Sequence, residues 1–166
     1  MSHERVLFVD FDGVLVHDNY VSESAGLVWS ELDMDPAAVA RLDELCWRAG
    51  AAVVISSSWR RNHGLDDLRG MLARRGFRGA VVGVTPSLRP DAEGQRLARG
   101  HEIQAWLDEH PEVRDFVILD GDDDLAHLGP FHVRTSTELG LLAEHVEAAL
   151  AAFAAGACRG VPVKMT

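Results

Sequence analysis

The chain has 166 residues, 47% of them hydrophobic and 25% charged, which suits one domain that buries about 70% of its unfolded surface without disulfide or metal staples. Its 16 Lys+Arg against 26 Asp+Glu leave a net charge of −10, which excludes wrapping of nucleic acid by bulk charge and leaves local recognition of a phosphate open. Cys46 and Cys158 have no CxxC spacing, MSHERVLFVD has no signal-peptide segment and no run is long enough to span a bilayer, so the expectation is a soluble cytoplasmic protein with no membrane partner, one domain over residues 1–166.

Short apolar runs alternate with amphipathic stretches, the pattern of βαβ units on a parallel sheet. Val6–Val9 is predicted as the first strand. Residues Val16–Asp35 follow as a short insertion. Asp35-Pro36 supplies an N-cap and a first-turn proline for a helix over Pro36–Ala49, which Gly50 ends. Ala52–Ile55 reads as a second strand, Leu65–Arg75 as a helix closed by Gly76, and Ala80–Val84 as a third strand.

The polar stretch TPSLRPDAEGQRLARG from Thr85 to Gly100 is a long loop of the kind that carries function. A helix over Glu102–Glu109, a fourth strand over Phe116–Leu119 and a short fifth over His132–Arg134 come next. Thr135 and Glu138 have capping-box spacing ahead of a helix over Leu139–Ala155. The predicted fold is thus an α/β, Rossmann-like parallel sheet of about five strands flanked by helices, with a short cap insertion (16–35) and a C-terminal tail (156–166). Trp47 and Trp106, at helical spacing among apolar neighbours, are expected in the core, as is Cys46.

Ligands of open parallel sheets bind beyond the carboxyl ends of the strands. Asp10, Asp12 and Gly13 follow the first predicted strand, and Ser56, Ser57, Ser58, Trp59, Arg60 and Arg61 follow the second. Arg89, Arg96 and Arg99 lie in the loop ahead of the fourth, and Asp120, Gly121, Asp122, Asp123 and Asp124 come after it. Carboxylates, hydroxyls and guanidinium groups therefore converge on one edge. Two or three aspartates with waters meet the oxygen demand of Mg²⁺. Asp10 and Asp12 share a side of an extended chain, so their mutual repulsion needs a cation or a shared proton to offset it. None of the eight histidines has HxxxH or HxH spacing, so none is assigned to a metal.

VDFDGVL, a later strand ending in serine, an isolated basic residue and ILDGDDD together resemble the haloacid dehalogenase (HAD) superfamily of phosphohydrolases. The resemblance runs from about Val6 to Glu138. It implies a Mg²⁺-dependent phosphomonoesterase in which Asp10 is the nucleophile, forming an aspartyl-phosphate, and Asp12 the general acid and base. It implies that Ser57 or Ser56 binds the phosphoryl group. The metal falls to Asp10, Asp12 and Asp120, with Asp124 or Asp123 as companion. The family's basic residue is usually a lysine, yet the sole lysine is Lys164 in the tail. Arg99 is assigned that place, with Arg96 and Arg89 behind it, because a guanidinium can hold two phosphate oxygens in a fork. Gly121 stands where relatives often carry another Asp.

SSSWR and RGHEIQAWL also resemble compact HAD domains linked with polynucleotide end repair. A short cap leaves an open site suited to a phosphorylated nucleic-acid end or nucleotide. On this reading Trp29 or Trp59 stacks on a base, and Arg60 and Arg61 contact flanking phosphates at the rim. Small-metabolite phosphatase and phosphotransferase activities are the alternatives within enzymes. A receiver-like signalling domain is disfavoured: strand three ends at Val84-Thr85-Pro86 without a phospho-accepting Asp, and Thr135 rather than Lys follows strand five. A catalytically inactive phosphate-binding module would have no use for both Asp10 and Asp12.

Overall fold

A computed structural model describes residues 3–20 and 30–156. The first strand, β1 (Arg5–Val9), alternates between two apolar layers: Leu7 and Val9 pack into one core, Val6 and Phe8 into another. Burial on both faces is why the run is continuously apolar rather than alternating. Helix α1 (Pro36–Ala49) begins where the Asp35 carboxylate accepts from the Ala37 N–H and ends at Gly50, whose φ of 63° lies in the left-handed region. Then come β2 (Ala52–Ile55), α2 (Leu65–Arg74), β3 (Val81–Val84), α3 (Arg99–Asp108), β4 (Asp115–Asp120), β5 (His132–Arg134) and α4 (Ala143–Ala155).

All strand pairs are parallel and the order is β3-β2-β1-β4-β5. Residues of α1, α2 and α4 cover one face, joining Leu7, Val53, Val117 and Leu119. On the other face Ile103 and Trp106 of α3, with Leu125 and Leu128, cover Phe8, Val54 and Ile118. The chain moves outward from β1 to β3 and then crosses to β4 on the far side of β1. The gap beyond β1 and β4 is therefore the topological switch point, where such sheets bind ligands. Register carries this further: Val9 is level with both Ile55 and Leu119. Asp10, Ser56 and Asp120 follow at that same edge.

Several boundaries depart from the sequence reading. Helix α3 starts at Arg99 rather than Glu102, so the polar loop delivers Arg99 as a helical residue. Helix α4 starts at Ala143 rather than Leu139, because Ser136–Gly140 forms a turn with Gly140 at φ 67° and the Ser136 hydroxyl accepting from the Leu139 N–H. Thr135 caps no helix; its buried hydroxyl donates to the Gly13 carbonyl at 2.5 Å. Trp106 is buried edge-on to Phe8 and Cys46 is buried, but Trp47 is 84% exposed. Helical spacing gave Trp47 apolar neighbours in sequence, while α1 turns Val39, Leu42 and Cys46 inward instead. Of the insertion 16–35, residues 21–29 with Trp29 lie outside the described residues, as do Cys158, Lys164 and the rest of the tail from residue 157. Among the described residues no helix is long and apolar enough to cross a membrane.

Gly100 is required by contact. A Cβ on Gly100 would lie 1.9 Å from the Leu125 carbonyl oxygen, so the first turn of α3 can lie against the Asp123–Leu125 loop only without a side chain. Gly100→Ala should therefore force the two backbones apart and destabilise the fold by about 1–3 kcal/mol. Urea unfolding measures this, and a variant as stable as the parent would mean that α3 does not approach that loop so closely.

Candidate active site

Asp10 leaves β1 with its N–H bonded to the Leu119 carbonyl at 3.0 Å, which seats it beside the end of β4. Its carboxylate is buried: Oδ1 accepts from the Phe11 N–H at 2.8 Å, and Oδ2 lies 2.6 Å from Arg99 Nη1. Asp120 is arranged in the same manner. Its Oδ1 accepts from the Asp122 N–H at 2.9 Å and its Oδ2 from the same Arg99 Nη1 at 2.8 Å. A single guanidinium nitrogen thus sits between two buried carboxylates from adjacent strands. Neither Arg89 nor Arg96 takes this place; both are exposed in the loop.

Burial pushes the Asp120 carboxyl up to about 7, with the Asp10 charge adding to the rise and Arg99 opposing it. Burial raises Asp10 as well, against the pull of Arg99 and of hydrogen bonds from the Phe11 N–H and the Ser57 hydroxyl. The two carboxylates hold Arg99 firmly protonated in spite of its burial.

Asp12, two residues beyond Asp10, is exposed. Partial desolvation and then the Asp10 charge raise its carboxyl, while a hydrogen bond from the Trp59 side chain opposes them. The turn that presents Asp12 is held by buried Phe11, whose carbonyl accepts from the Leu15 and Val16 N–H groups at 2.9 Å each. Gly13 follows with φ 81°, a conformation glycine adopts without strain.

The two candidate serines separate. Ser57 is fully buried, hydrogen-bonds to Asp10 through its hydroxyl, and accepts from the Trp59 N–H at 3.3 Å. The Ser56 hydroxyl is buried with no hydrogen-bond partner. Only Ser57 is in contact with the carboxylate of Asp10.

Carboxylate oxygens of Asp10, Asp120 and Asp122 lie within 4.8 Å of one another. This all-oxygen donor set suits a hard divalent cation, which would take up part of the role Arg99 has in offsetting the two buried charges. Asp12 and Asp124, expected among the ligands, have other contacts. The Asp12 carboxyl is engaged by Trp59. The Asp124 carboxylate accepts from the Arg99 N–H at 3.4 Å and its carbonyl from the Gly100 N–H at 3.2 Å, so Asp124 anchors the start of α3. Asp123 faces outward to Arg134 at 3.5 Å. Asp122, rather than the expected companions Asp124 or Asp123, joins the group; its i+2 spacing from Asp120 is the signal that could have found it.

The expected substrate rim is corrected at two of three residues. Trp59 is 6% exposed and packs edge-to-face on Phe11 at 5.3 Å. The Arg60 side chain is 5% exposed and pairs with Glu102 at 2.8 Å. Both turn inward because the 3₁₀ turn at Ser58–Arg61 faces Phe11 and α3 rather than solvent. Arg61 alone is exposed. Glu102 itself had no signal in the sequence beyond being an acid near a helix start.

With this geometry in place, comparison with known families adds a match: the family model described as the HAD domain in Swiss Army Knife RNA repair proteins covers residues 6–146. No curated protein matches the sequence.

The raised Asp120 carboxyl has a measurable consequence. The folded protein holds that proton more tightly than the unfolded chain does, so between the unperturbed value of 3.8 and about 7 the metal-free protein should lose stability as pH rises. A divalent cation needs the ionised form, so added Mg²⁺ should raise the melting temperature more at pH 8 than at pH 5. Asp120→Asn should flatten both trends. Equal Mg²⁺ shifts at the two pH values, or in the variant, would remove Asp120 from the cation site.

Proposed function

Because the chain belongs to the family of HAD domains found in Swiss Army Knife RNA repair proteins, we propose that it is a Mg²⁺-dependent phosphomonoesterase with Asp10 as nucleophile and Asp12 as general acid and base. The observation that carries this reading is the contact of Arg99 Nη1 with both Asp10 and Asp120 at the switch point. A phosphate dianion repels a carboxylate, and the buried guanidinium offsets that repulsion at the attacking group. Asp10, Asp120 and Asp122 would hold Mg²⁺, which supplies further positive charge toward the phosphate.

The residues then divide the work. The Phe11 N–H and Arg99 orient the Asp10 carboxylate. An Asp10 oxygen attacks phosphorus, the phosphorus–oxygen bond to the leaving group breaks, and Asp12 gives its proton to the departing oxygen. The raised carboxyl of Asp12 suits a group that must start protonated. Asp12, now a carboxylate, takes a proton from water, whose oxygen attacks phosphorus and frees both phosphate and Asp10. The Ser57 hydroxyl, which bonds to Asp10, would donate to a phosphoryl oxygen.

The family description supports a phosphorylated polynucleotide end as substrate. Exposed Arg61, Arg89 and Arg96 supply positive charge on the loops after β2 and β3. A second reading, a nucleotide or sugar phosphate, is favoured by the burial of Trp59 and Arg60, which takes away the stacking surface and one of the phosphate contacts.

Asp10→Asn should abolish turnover of an aryl phosphate while the variant stays folded; near-parental hydrolysis would reject Asp10 as nucleophile. Asp12→Asn should lose most on alkyl phosphates, whose leaving oxygen needs a proton, and least on an activated aryl phosphate. Equal losses on both would leave Asp12 no part in proton transfer. Arg61→Ala should slow hydrolysis of a phosphorylated oligonucleotide at low salt and leave an aryl phosphate unchanged. Mononucleotides turned over faster than every phosphorylated oligonucleotide would decide for the second reading.

A further inference from the structure

Arg60 and Glu102 form a buried ion pair that the chemistry above does not use. Arg60 Nη2 lies 2.8 Å from Glu102 Oε1, with the two side chains 5% and 10% exposed. Each partner of the pair also binds backbone. Arg60 Nη1 donates to the Ser57 carbonyl at 2.7 Å, and Glu102 Oε2 accepts from the Leu88 N–H at 2.9 Å. Three segments meet in this pair: the loop after β2 that carries Ser57, the loop after β3, and the first turn of α3. Glu102 stands three residues after Arg99, so both lie on neighbouring positions of one helical face.

Stability is a weak reason for such a pair. Desolvating two charges costs about what their attraction returns. Here Arg60 Nε is also buried without a partner, a further cost. What the pair does provide is a fixed distance between the Ser57 loop and α3. A second tie holds the N-terminus of that helix, where Asp124 accepts from the Arg99 and Gly100 N–H groups. Between these two ties the start of α3 has little freedom to slide, and the Arg99 guanidinium is delivered to within 2.6 and 2.8 Å of Asp10 and Asp120.

We infer that Arg60 and Glu102 are positioning residues that set Arg99 between Asp10 and Asp120 and lock the Ser57 loop to α3, and that Arg60 does not contact substrate. The inference deepens the phosphatase reading and rests on it for its effect on rate. A displacement of about 1 Å in such a group can cost up to about a hundredfold in rate.

The test uses Glu102→Gln, which keeps the shape and the bond to Leu88 but removes the charge, and Arg60→Lys, which keeps the charge but not the fork. Each should lower kcat about tenfold or more with Mg²⁺ present, by the same factor for an aryl phosphate and for a phosphorylated oligonucleotide. In an Arg99→Ala background Glu102→Gln should cost less than about twofold more, since it acts through Arg99. Nitrogen-15 NMR of the Arg99 guanidinium should show an Nη signal protected from exchange in the parent and lost or shifted in Glu102→Gln.

Full activity in Glu102→Gln, an equal loss in both backgrounds, or a loss confined to the oligonucleotide would overturn the proposal, the last by making Arg60 a substrate contact. If the parent hydrolyses no phosphate ester, the phosphatase reading fails, and the Arg99 signal alone decides on positioning: changed in Glu102→Gln supports it, unchanged refutes it.

Discussion

Two buried carboxylates at the ends of neighbouring strands are the constraint around which the rest of this edge is arranged. Asp10 and Asp120 bring ligand atoms within 4.8 Å of each other. At about 4 Å two like charges repel by about 4 kcal/mol even at an effective dielectric of about 20. That is a large share of the roughly 5–15 kcal/mol that separates folded from unfolded domains. The fold meets the cost in three ways: each carboxylate takes a backbone N–H, Arg99 lies between them, and the Asp120 carboxyl is raised so that it ionises late. A metal ion and a phosphate would enter a place already built for opposed charges.

Most of the surrounding structure follows from delivering Arg99 to that spot. Helix α3 must start close to the acidic loop after β4, which demands Gly100 against Leu125 and lets Asp124 anchor the first N–H groups. On the other flank Arg60 and Glu102 tie the same turn to the Ser57 loop. Trp59, in the turn beside Arg60, reaches Asp12 while packing on Phe11. Residues that resemble a substrate rim when read along the chain are thus spent inside the protein, on orienting the groups nearer the chemistry.

How much of this was legible in the sequence depends on what each residue answers to. Strands buried on both faces show as apolar runs, and Pro36–Ala49 carried its own cap, proline and terminal glycine, so these elements could be read locally. Asp10 and Asp120 were legible because they end such strands, and the sheet order brings those ends together. Arg99 was reachable only through the missing lysine and an expected distance along the chain. The direction in which Trp47, Trp59 and Arg60 point was not legible, since it depends on which neighbour a 3₁₀ turn or a helix face meets. Glu102 has its role through residues 42 and 14 positions away, Arg60 and Leu88, and no local pattern encodes that.

In the proposed reaction Asp10 becomes covalently phosphorylated during turnover. Rapid quenching of the protein with a phosphomonoester and Mg²⁺, reduction of any acyl phosphate with borohydride, and mass spectrometry of the peptides would locate the modified side chain. Asp10, and no other acidic residue, should be converted to homoserine, with none formed when substrate is left out. Turnover that proceeds with Asp10 unmodified, or with the phosphoryl group found on Ser57, would contradict the proposed reaction.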